Sequence, residues 1–502
     1  MNPNISVYDS LRREKIAFEP INSPFVGLYV CGPTVYGEPH LGHARSAITF
    51  DLVFRFLKYS GYKVRYVRNI TDVGHLENDG DDGDDKIAKR ARLEQLEPME
   101  VAQEYTNSYH VMMDRLFVKR PSIEPRASGH IIEQIEMIQK IIDAGLAYES
   151  NGSVYFDVLK YNENEPYGEL SGRILEDLIA HAGEERRSLE GKEEKKNSFD
   201  FALWKKASPE HIMRWNSPWS IGFPGWHIEC SAMSAKYLGE QFDIHGGGMD
   251  LLFPHHECEI AQSKASNHVH PAKYWLHNNM ITINGQKMGK SLGNAINLSQ
   301  FFTGDHPLLK KAYAPLTIRF FMLQAHYRST LDFSNEALEA AEKGLMKMIN
   351  GIRTAKSLTY TEQELKVDDE LNAEIKKATE AVIEGMSNDF NSAKSIAELY
   401  NLLKYINSIK AGIISYAELN KDTFDSLLTT FIQFNEEVLG LSDDHINNDD
   451  LFIPMVEAWM DTYREARAEK NFALVDLIRT KFKSMNLNIK DAKQGSDWGY
   501  QE

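Results

Sequence analysis

FVGLYVCGPTVYGEPHLGH, residues 25 to 43, decides the architecture. Phe25 to Cys31 is a short run of apolar, β-branched and aromatic side chains, the composition of a buried strand. Gly32, Pro33, Gly37 and Pro39 break that run, and from His40 to Tyr59 apolar residues recur at helical spacing. Tyr62 to Ile70 (YKVRYVRNI) then reads as a second strand. Strand, glycine-bearing loop, helix and strand in that order make a parallel βαβ unit of an α/β fold. Such units collect ligands at the carboxyl ends of their strands.

Outward from this stretch, 502 residues are too many for one ordinary core, so three or four domains are expected. The 42% hydrophobic content is that of a globular chain. No segment approaches the roughly 20 apolar residues of a membrane span, and Met1 to Pro20 carries charges where a signal peptide has its apolar run. Three cysteines, Cys31, Cys230 and Cys258, are too few for a disulfide framework and suit a reducing compartment, so a cytoplasmic location with no membrane partner is expected. A net charge of -17 argues against non-specific nucleic-acid binding while leaving room for a local basic face.

The acidic run Glu77 to Asp85 lacks the spacing of a calcium loop and reads as a solvated loop; helical periodicity resumes from Asp85. Residues from about 115 to 215 look like an insertion, with a charged, mobile stretch at Glu184 to Asn197, and αβ character returns at Trp226. After Leu331 amphipathic helices take over. In Asn391 to Asn407 one stripe holds Ile396, Leu399, Tyr400, Leu403 and Ile406, with Asn388 and Asp389 as expected caps. Asp443 to Asp450 reads as a linker to a last small domain, and there is no internal repeat.

His40 and His43 share a face at a helix start, where backbone N–H groups and the dipole favour an anion, and Gly42 leaves room for a flat base. Histidines at such a position more often serve the helix itself. Pairing them with Lys287 and Lys290, in the turn-rich stretch Asn284 to Asn294, favours a triphosphate instead, since mobile ammonium groups can follow charge building on the phosphates. Gly246, Gly247 and Gly248 offer a backbone that a nucleotide can approach, and Asp250 a carboxylate for ribose hydroxyls. A glycine triplet alone is weak support.

Cys230 lies in WHIEC, and a helix begun near Pro254 would put His255 and Glu259 at i and i+4 on one face. With Cys31 these offer a zinc-type donor set, but the spread over more than two hundred residues lacks zinc-finger spacing, so spacing alone does not decide the site. Cys258 points elsewhere, while His227, His245 and His256 are expected to support the ligands.

Taken together, CGPTVY from Cys31, the His40 to His43 signature, NITD from Asn69, GWHIECSAM from Gly225, DIHGGG from Asp243, FPHHE from Phe253, the lysine loop and AHYRS from Ala325 closely resemble bacterial cysteinyl-tRNA synthetases, a branch of the class I aminoacyl-tRNA synthetases. The resemblance runs from about Ile5 to the C-terminus. It implies a Rossmann-type catalytic domain in two halves (1–115 and 216–280) around a connective insertion (116–215). A stem-contact region with a KMSKS-like loop (281–345), an α-helical bundle (346–442) and a small anticodon-binding domain (451–502) would follow. It also assigns Cys31, Cys230, His255 and Glu259 to one zinc ion, Lys290 to ATP, and Thr71 and Trp226 to the amino-acid pocket. The usual serine of the lysine loop is Gly289 here, and the acidic run is longer than the common form.

The implied reaction begins with attack of the cysteine carboxylate on the α-phosphate of ATP, magnesium bridging phosphates, and ends with transfer to the 3′ end of cysteine tRNA. His40, His43, Lys287 and Lys290 would stabilise charge rather than move protons. A hydrophobic pocket separates near isosteres such as cysteine and serine by only about a hundredfold; zinc, preferring a thiol, supplies the remainder. A monomer is expected. Rival readings are a ligase joining cysteine to an amino-sugar, which would lack much of the helical and C-terminal region, a non-catalytic tRNA-binding relative, which would lose its phosphate loops, and a purely structural zinc protein. In the last domain, Arg464, Arg467, Arg479, Lys481 and Lys483 are the expected tRNA contacts, with Trp498 stacking on an unpaired base.

Overall fold

The computed structural model describes residues 3–74, 85–94, 96–175, 194–209, 211–289, 293–364, 366–442, 452–492 and 495–501. The acidic run before Asp85, most of the stretch Glu184 to Asn197, the linker Asp443 to Asp450 and Lys290 lie outside them.

Four parallel strands, β1 (Phe25–Val30), β2 (Lys63–Arg68), β3 (Phe242–Gly248) and β4 (Ala272–Asn278), form a sheet in the order β4-β3-β1-β2. Leu28 stands in register with Tyr66 on one side and Ile244 on the other. All three are buried, as continuous apolar strands covered on both faces require. Helix α1 (Leu41–Tyr59) joins β1 to β2 and is buried over most of its circumference, which is why its apolar residues exceed a single stripe. Helix α2 (Trp226–Leu238) enters β3, and α3 (Glu257–Asn267) joins β3 to β4. Because β1 connects to β2 on one side while β3 pairs with it on the other, a crevice opens at the carboxyl ends of β1 and β3.

Between the halves of this sheet, an antiparallel five-stranded sheet runs from Ala147 to Pro224, packed on the helix Ile131–Asp143 around its own core, in which Ile138, Phe156, Leu203 and Trp204 are fully buried. Helices α4 (Asn335–Ser357), α5 (Asp369–Ser387), α6 (Ser392–Lys410) and α7 (Lys421–Gln433) make the bundle. Helix α6 carries the expected stripe, with Ile396, Leu399, Leu403 and Ile406 buried. Its caps differ from expectation: Asn391 accepts from the Lys394 amide at 3.0 Å, and Asn388 ends α5 instead. Asp389 adopts a left-handed φ of 62° and spends its carboxylate on four partners: the Tyr8 amide at 2.9 Å, the Tyr327 hydroxyl at 2.8 Å, Arg328 Nε at 2.7 Å and His326 Nε2 at 3.4 Å. A buried carboxylate needs such partners more than a helix start needs a cap.

The last unit comprises α8 (Phe452–Ala468), α9 (Phe472–Ser484) and a hairpin of β5 (Leu487–Ala492) with β6 (Gly495–Tyr500). Trp498 is not available for base stacking. It is 3% exposed, its Nε1 donates to Glu457 at 2.6 Å, and the Arg353 guanidinium covers its face at 3.2 Å. Arg467 and Arg479 pair with Asp491, and Arg464 with Asp461, while Lys481 and Lys483 are exposed. Among the described residues no helix is long and apolar enough to cross a membrane.

Candidate active site

The crevice is a cleft of about 490 Å³ whose walls bring together Cys31, His40, Gly42, His43, Thr71, Trp226, Cys230, Gly248, Asp250, His255 and Lys287. Glu259 lies buried beside it, its Oε1 3.6 Å from Cys31 Sγ. Cys31 and Glu259, 228 positions apart in sequence, therefore meet because β1 and β3 are neighbours.

His40 is the N-cap of α1. Its Nδ1 accepts from the Gly42 amide at 3.1 Å, and His43 Nδ1 accepts from the His40 amide at 3.1 Å. Both the structural and the phosphate roles of these histidines are thus compatible, because an accepting Nδ1 in a neutral ring leaves the proton on Nε2, a donor for an anion. The rings sit 4.0 Å apart. Gly42 has His40 Cε1 2.9 Å from where a Cβ would stand, so the capping ring itself excludes a side chain there. Of the glycine triplet, Gly246 packs under Phe50 and Gly247 under His256, each too close for a Cβ; only Gly248 lines the cleft, beside Asp250. Lys287 ends the short strand Gln286–Lys287, and Asn294 braces the loop base, accepting from the Gly289 amide at 2.8 Å and donating to the Lys287 carbonyl at 3.1 Å.

At the base of the cleft Cys31 Sγ and Cys230 Sγ are 3.7 Å apart, and His255 Nε2 is 3.2 Å from Glu259 Oε1. Phe253 has extended backbone, and from Pro254 a helical turn runs through His256 into α3, so a helix begun near Pro254 sets His255 and Glu259 side by side. A tetrahedral ion with bonds of about 2.3 Å to sulfur and 2.0 Å to nitrogen or oxygen needs edges of about 3.8 Å for S–S, 3.5 Å for S–O and 3.3 Å for N–O. The observed 3.7, 3.6 and 3.2 Å match. A second grouping, Cys31, His245, His256 and Glu259, also lies within 4.8 Å, but its N–O edges are 2.8 and 4.0 Å. That scatter fits hydrogen bonding better than shared coordination. His245 Nε2 holds Glu259 Oε2, and His227 Nδ1 faces His255 Nδ1 at 3.0 Å, so these histidines orient the ligands as expected.

Burial, and then the neighbouring Cys230, pushes the Cys31 thiol up, and burial pushes the Cys230 thiol up as well. Two such thiols ionise together only beside a cation. Burial and the imidazoles of His245 and His277 hold His256 well below the usual range, so it stays neutral. Burial likewise lowers His277 to about 3. His277, unanticipated in the sequence, accepts or donates at 2.8 Å to His256 Nδ1 and at 2.8 Å to the Ser10 hydroxyl. Cys258 is elsewhere, buried against Tyr167.

On another wall of the cleft, Asn69 Oδ1 accepts from the Gly32 amide at 2.8 Å and its Nδ2 donates to Thr71 Oγ1 at 3.1 Å, while Thr71 donates to Glu229 at 3.0 Å. Trp226 lies against the His255 ring, centroids 4.3 Å apart.

Residues 17–343 match the family model of class I (C) tRNA synthetase catalytic domains, and residues 381–442 that of DALR domains. A cysteine–tRNA ligase of Cytophaga hutchinsonii is 61% identical over 497 residues, 99% of each chain. The chain belongs to the cysteine–tRNA ligase family. Cysteine–tRNA ligases of Bacteroides thetaiotaomicron, 55% identical over 99% of each chain, and Deinococcus radiodurans, 46% identical over 99% of this chain and 97% of that one, agree. The Mycobacterium tuberculosis methionyl-tRNA synthetase in complex with methionyl-adenylate has a TM-score of 0.56 at 14% identity, over 82% of this chain and 89% of that one, which shows a shared class I fold. The family's reaction, ATP-dependent attachment of cysteine to tRNA, replaces the rival readings.

Proposed function

We propose that the cleft at the ends of β1 and β3 forms cysteinyl-adenylate, with Cys31, Cys230, His255 and Glu259 holding one zinc ion. The observation that carries this reading is the agreement of three donor separations with a tetrahedral site. Zinc bound there supplies a Lewis acid that prefers a thiolate to a hydroxyl, the distinction between cysteine and serine.

The chain's own groups do the rest. Thr71 has its proton committed to Glu229, so its oxygen presents an acceptor to the substrate ammonium, and Trp226 closes the pocket beside His255. ATP, with magnesium, lies along Gly42, Gly248 and Asp250. His40 and His43 donate through Nε2 to its phosphates, and Lys287 with Lys290 follow the charge of the leaving pyrophosphate. None of these groups needs to move a proton, because the substrate carboxylate is already the nucleophile. The remaining assignments follow the family: two catalytic halves (1–115, 216–280), a connective insertion (116–215), a stem-contact region (281–345), a bundle (346–442) and an anticodon-binding domain (451–502), acting as a cytoplasmic monomer on cysteine tRNA. ATP–pyrophosphate exchange with each amino acid in turn tests the reading; cysteine alone should support exchange, and equal exchange with serine would overturn zinc selection.

A further inference from the structure

Tyr29 is fully buried in β1, yet its hydroxyl hydrogen bonds to no oxygen or nitrogen among the described residues. The rest of that strand, Phe25 to Val30, carries no polar side chain. A phenylalanine would fill the same space without leaving a polar group unpaired, and such a group costs stability. The hydroxyl therefore needs a reason of its own.

Side chains alternate along a strand, so Tyr29 and Cys31 share one face of β1, while Leu28 and Val30 pack with α1 on the other. The shared face lies on α2, where Tyr29 joins Cys230 and Met233 in one buried cluster. There the Tyr29 hydroxyl comes within hydrogen-bonding reach of Cys230 Sγ, and Cys31 and Glu259 are the next ionisable groups it faces. Its ring stands edge-on to His245, centroids 5.3 Å apart, which fixes the direction of the hydroxyl.

Three of the four zinc-type donors have a histidine as buried partner. His256 Nε2 is 3.3 Å from Cys31 Sγ, His227 Nδ1 is 3.0 Å from His255 Nδ1, and His245 Nε2 is 2.8 Å from Glu259 Oε2. Cys230 has Asn69 instead, and that side chain offers its carbonyl oxygen, 3.7 Å from Cys230 Sγ, because the Gly32 amide holds Oδ1 in place. An acceptor can serve a thiol but not a thiolate. Tyr29 supplies the donor that a Cys230 thiolate needs.

We propose that Tyr29 is a positioning residue for the metal site: its hydroxyl donates to the Cys230 sulfur once that sulfur is a thiolate ligand. The proposal rests on the reading of Cys31, Cys230, His255 and Glu259 as the zinc ligands. Three anionic donors around a divalent ion leave one negative charge in a buried site, and a substrate thiolate adds a second. Hydrogen bonds to the ligands spread that charge. Losing the Tyr29 hydroxyl should thus weaken the hold on the metal and on cysteine while leaving ATP binding alone.

The test uses the full-length protein with zinc or cobalt bound. Tyr29→Phe keeps the ring and removes only the hydroxyl. In competition with a chromophoric chelator its zinc affinity should fall about tenfold, the lower end of what an outer partner contributes. In the cobalt-substituted variant the sulfur-to-cobalt charge-transfer band should move to lower energy, because a thiolate without its hydrogen bond holds its electrons less tightly. KM for cysteine in ATP–pyrophosphate exchange should rise about tenfold, with KM for ATP within about twofold of wild type. Site-specific 3-fluorotyrosine at position 29, a more acidic phenol, should move the band the other way and keep zinc affinity at or above the wild-type value; this second variant keeps the test decisive where the first folds poorly. An unmoved band and unchanged zinc affinity in both variants would overturn the role of Tyr29 and leave the ligand set intact. A wild type that binds no cobalt, or binds it without a sulfur charge-transfer band, would overturn the ligand set itself.

Discussion

The sulfurs of Cys31 and Cys230 stand 3.7 Å apart across 199 residues of sequence, well beyond the roughly 2.05 Å of a disulfide and at the edge length of a tetrahedral zinc site. Their backbone positions come from different elements, the end of β1 and the middle of α2, so the pair is formed by the sheet rather than by a local loop.

Removing one sulfur should therefore cost metal and activity together. Cys230→Ser is expected to reduce zinc from about one ion per chain to well below half, measured by plasma mass spectrometry, with cysteine-dependent exchange falling at least a hundredfold because zinc sites lose affinity steeply with a thiolate. Full metal content with full exchange in that variant would remove the assignment.

The lysine loop makes a separable contribution. Lys290→Ala should slow adenylate formation at least tenfold while cysteine affinity changes little, since an ammonium acting on developing charge contributes in the transition state rather than the ground state. Pre-steady-state rates and equilibrium binding distinguish the two. A variant that loses cysteine binding but keeps its chemical rate would contradict this role.

Contiguous strings were legible in the sequence because their chemistry is local: the His40 to His43 turn, the lysine loop, and the His255–Glu259 pair depend on one helix end or one loop. The βαβ unit was legible for the same reason. What the sequence hid depends on distant elements. His277 reaches His256 only because β4 lies beside β3, and Ser10 reaches His277 only through the N-terminal hairpin. Trp498 read as an exposed stacking ring because nothing near it in sequence covers it; Arg353, 145 residues away, does. Gly246 looked like a nucleotide contact, whereas Phe50 of α1 dictates it.

That correction is itself testable. A Cβ on Gly246 would stand 2.2 Å from the Phe50 ring, so Gly246→Ala should destabilise the protein by about 1–3 kcal/mol through overpacking. Urea unfolding is the measurement. An increased KM for ATP with unchanged stability would restore the nucleotide role.

Acid sensitivity has an identifiable source outside the active site. Glu124 pays a burial cost, but hydrogen bonds from His110 Nε2 at 2.6 Å and Arg68 Nη2 at 2.9 Å outweigh it and hold its carboxyl at about 2, below the usual 4.5. A depressed folded-state value stabilises above the unfolded value and is lost as pH falls through the folded one. Glu124→Gln should thus lower stability by about 2 kcal/mol at pH 7, and its deficit relative to wild type should shrink between roughly pH 4.5 and 2. A deficit constant across that window, read from urea midpoints, would show that the interaction is not ionic.

The last expectation concerns the unit after Asp450. It attaches to the bundle through Asn350 with Tyr500 and Arg353 with Trp498, and none of its residues lines the catalytic cleft. Its own helices α8 and α9 bury Met460, Tyr463, Ile478 and Phe482, so its removal takes away a packed unit and uncovers the face of α4 around Asn350. Adenylate formation needs the ends of β1 and β3 and the lysine loop, all of which remain. Deleting the chain after Asp450 should leave ATP–pyrophosphate exchange within about threefold of wild type while lowering cysteine charging of tRNA by at least a hundredfold, an energy of about 2.7 kcal/mol of binding lost to the transition state. Equal loss of both activities would mean that this unit is required for folding of the catalytic half, and retention of both would exclude it from tRNA recognition.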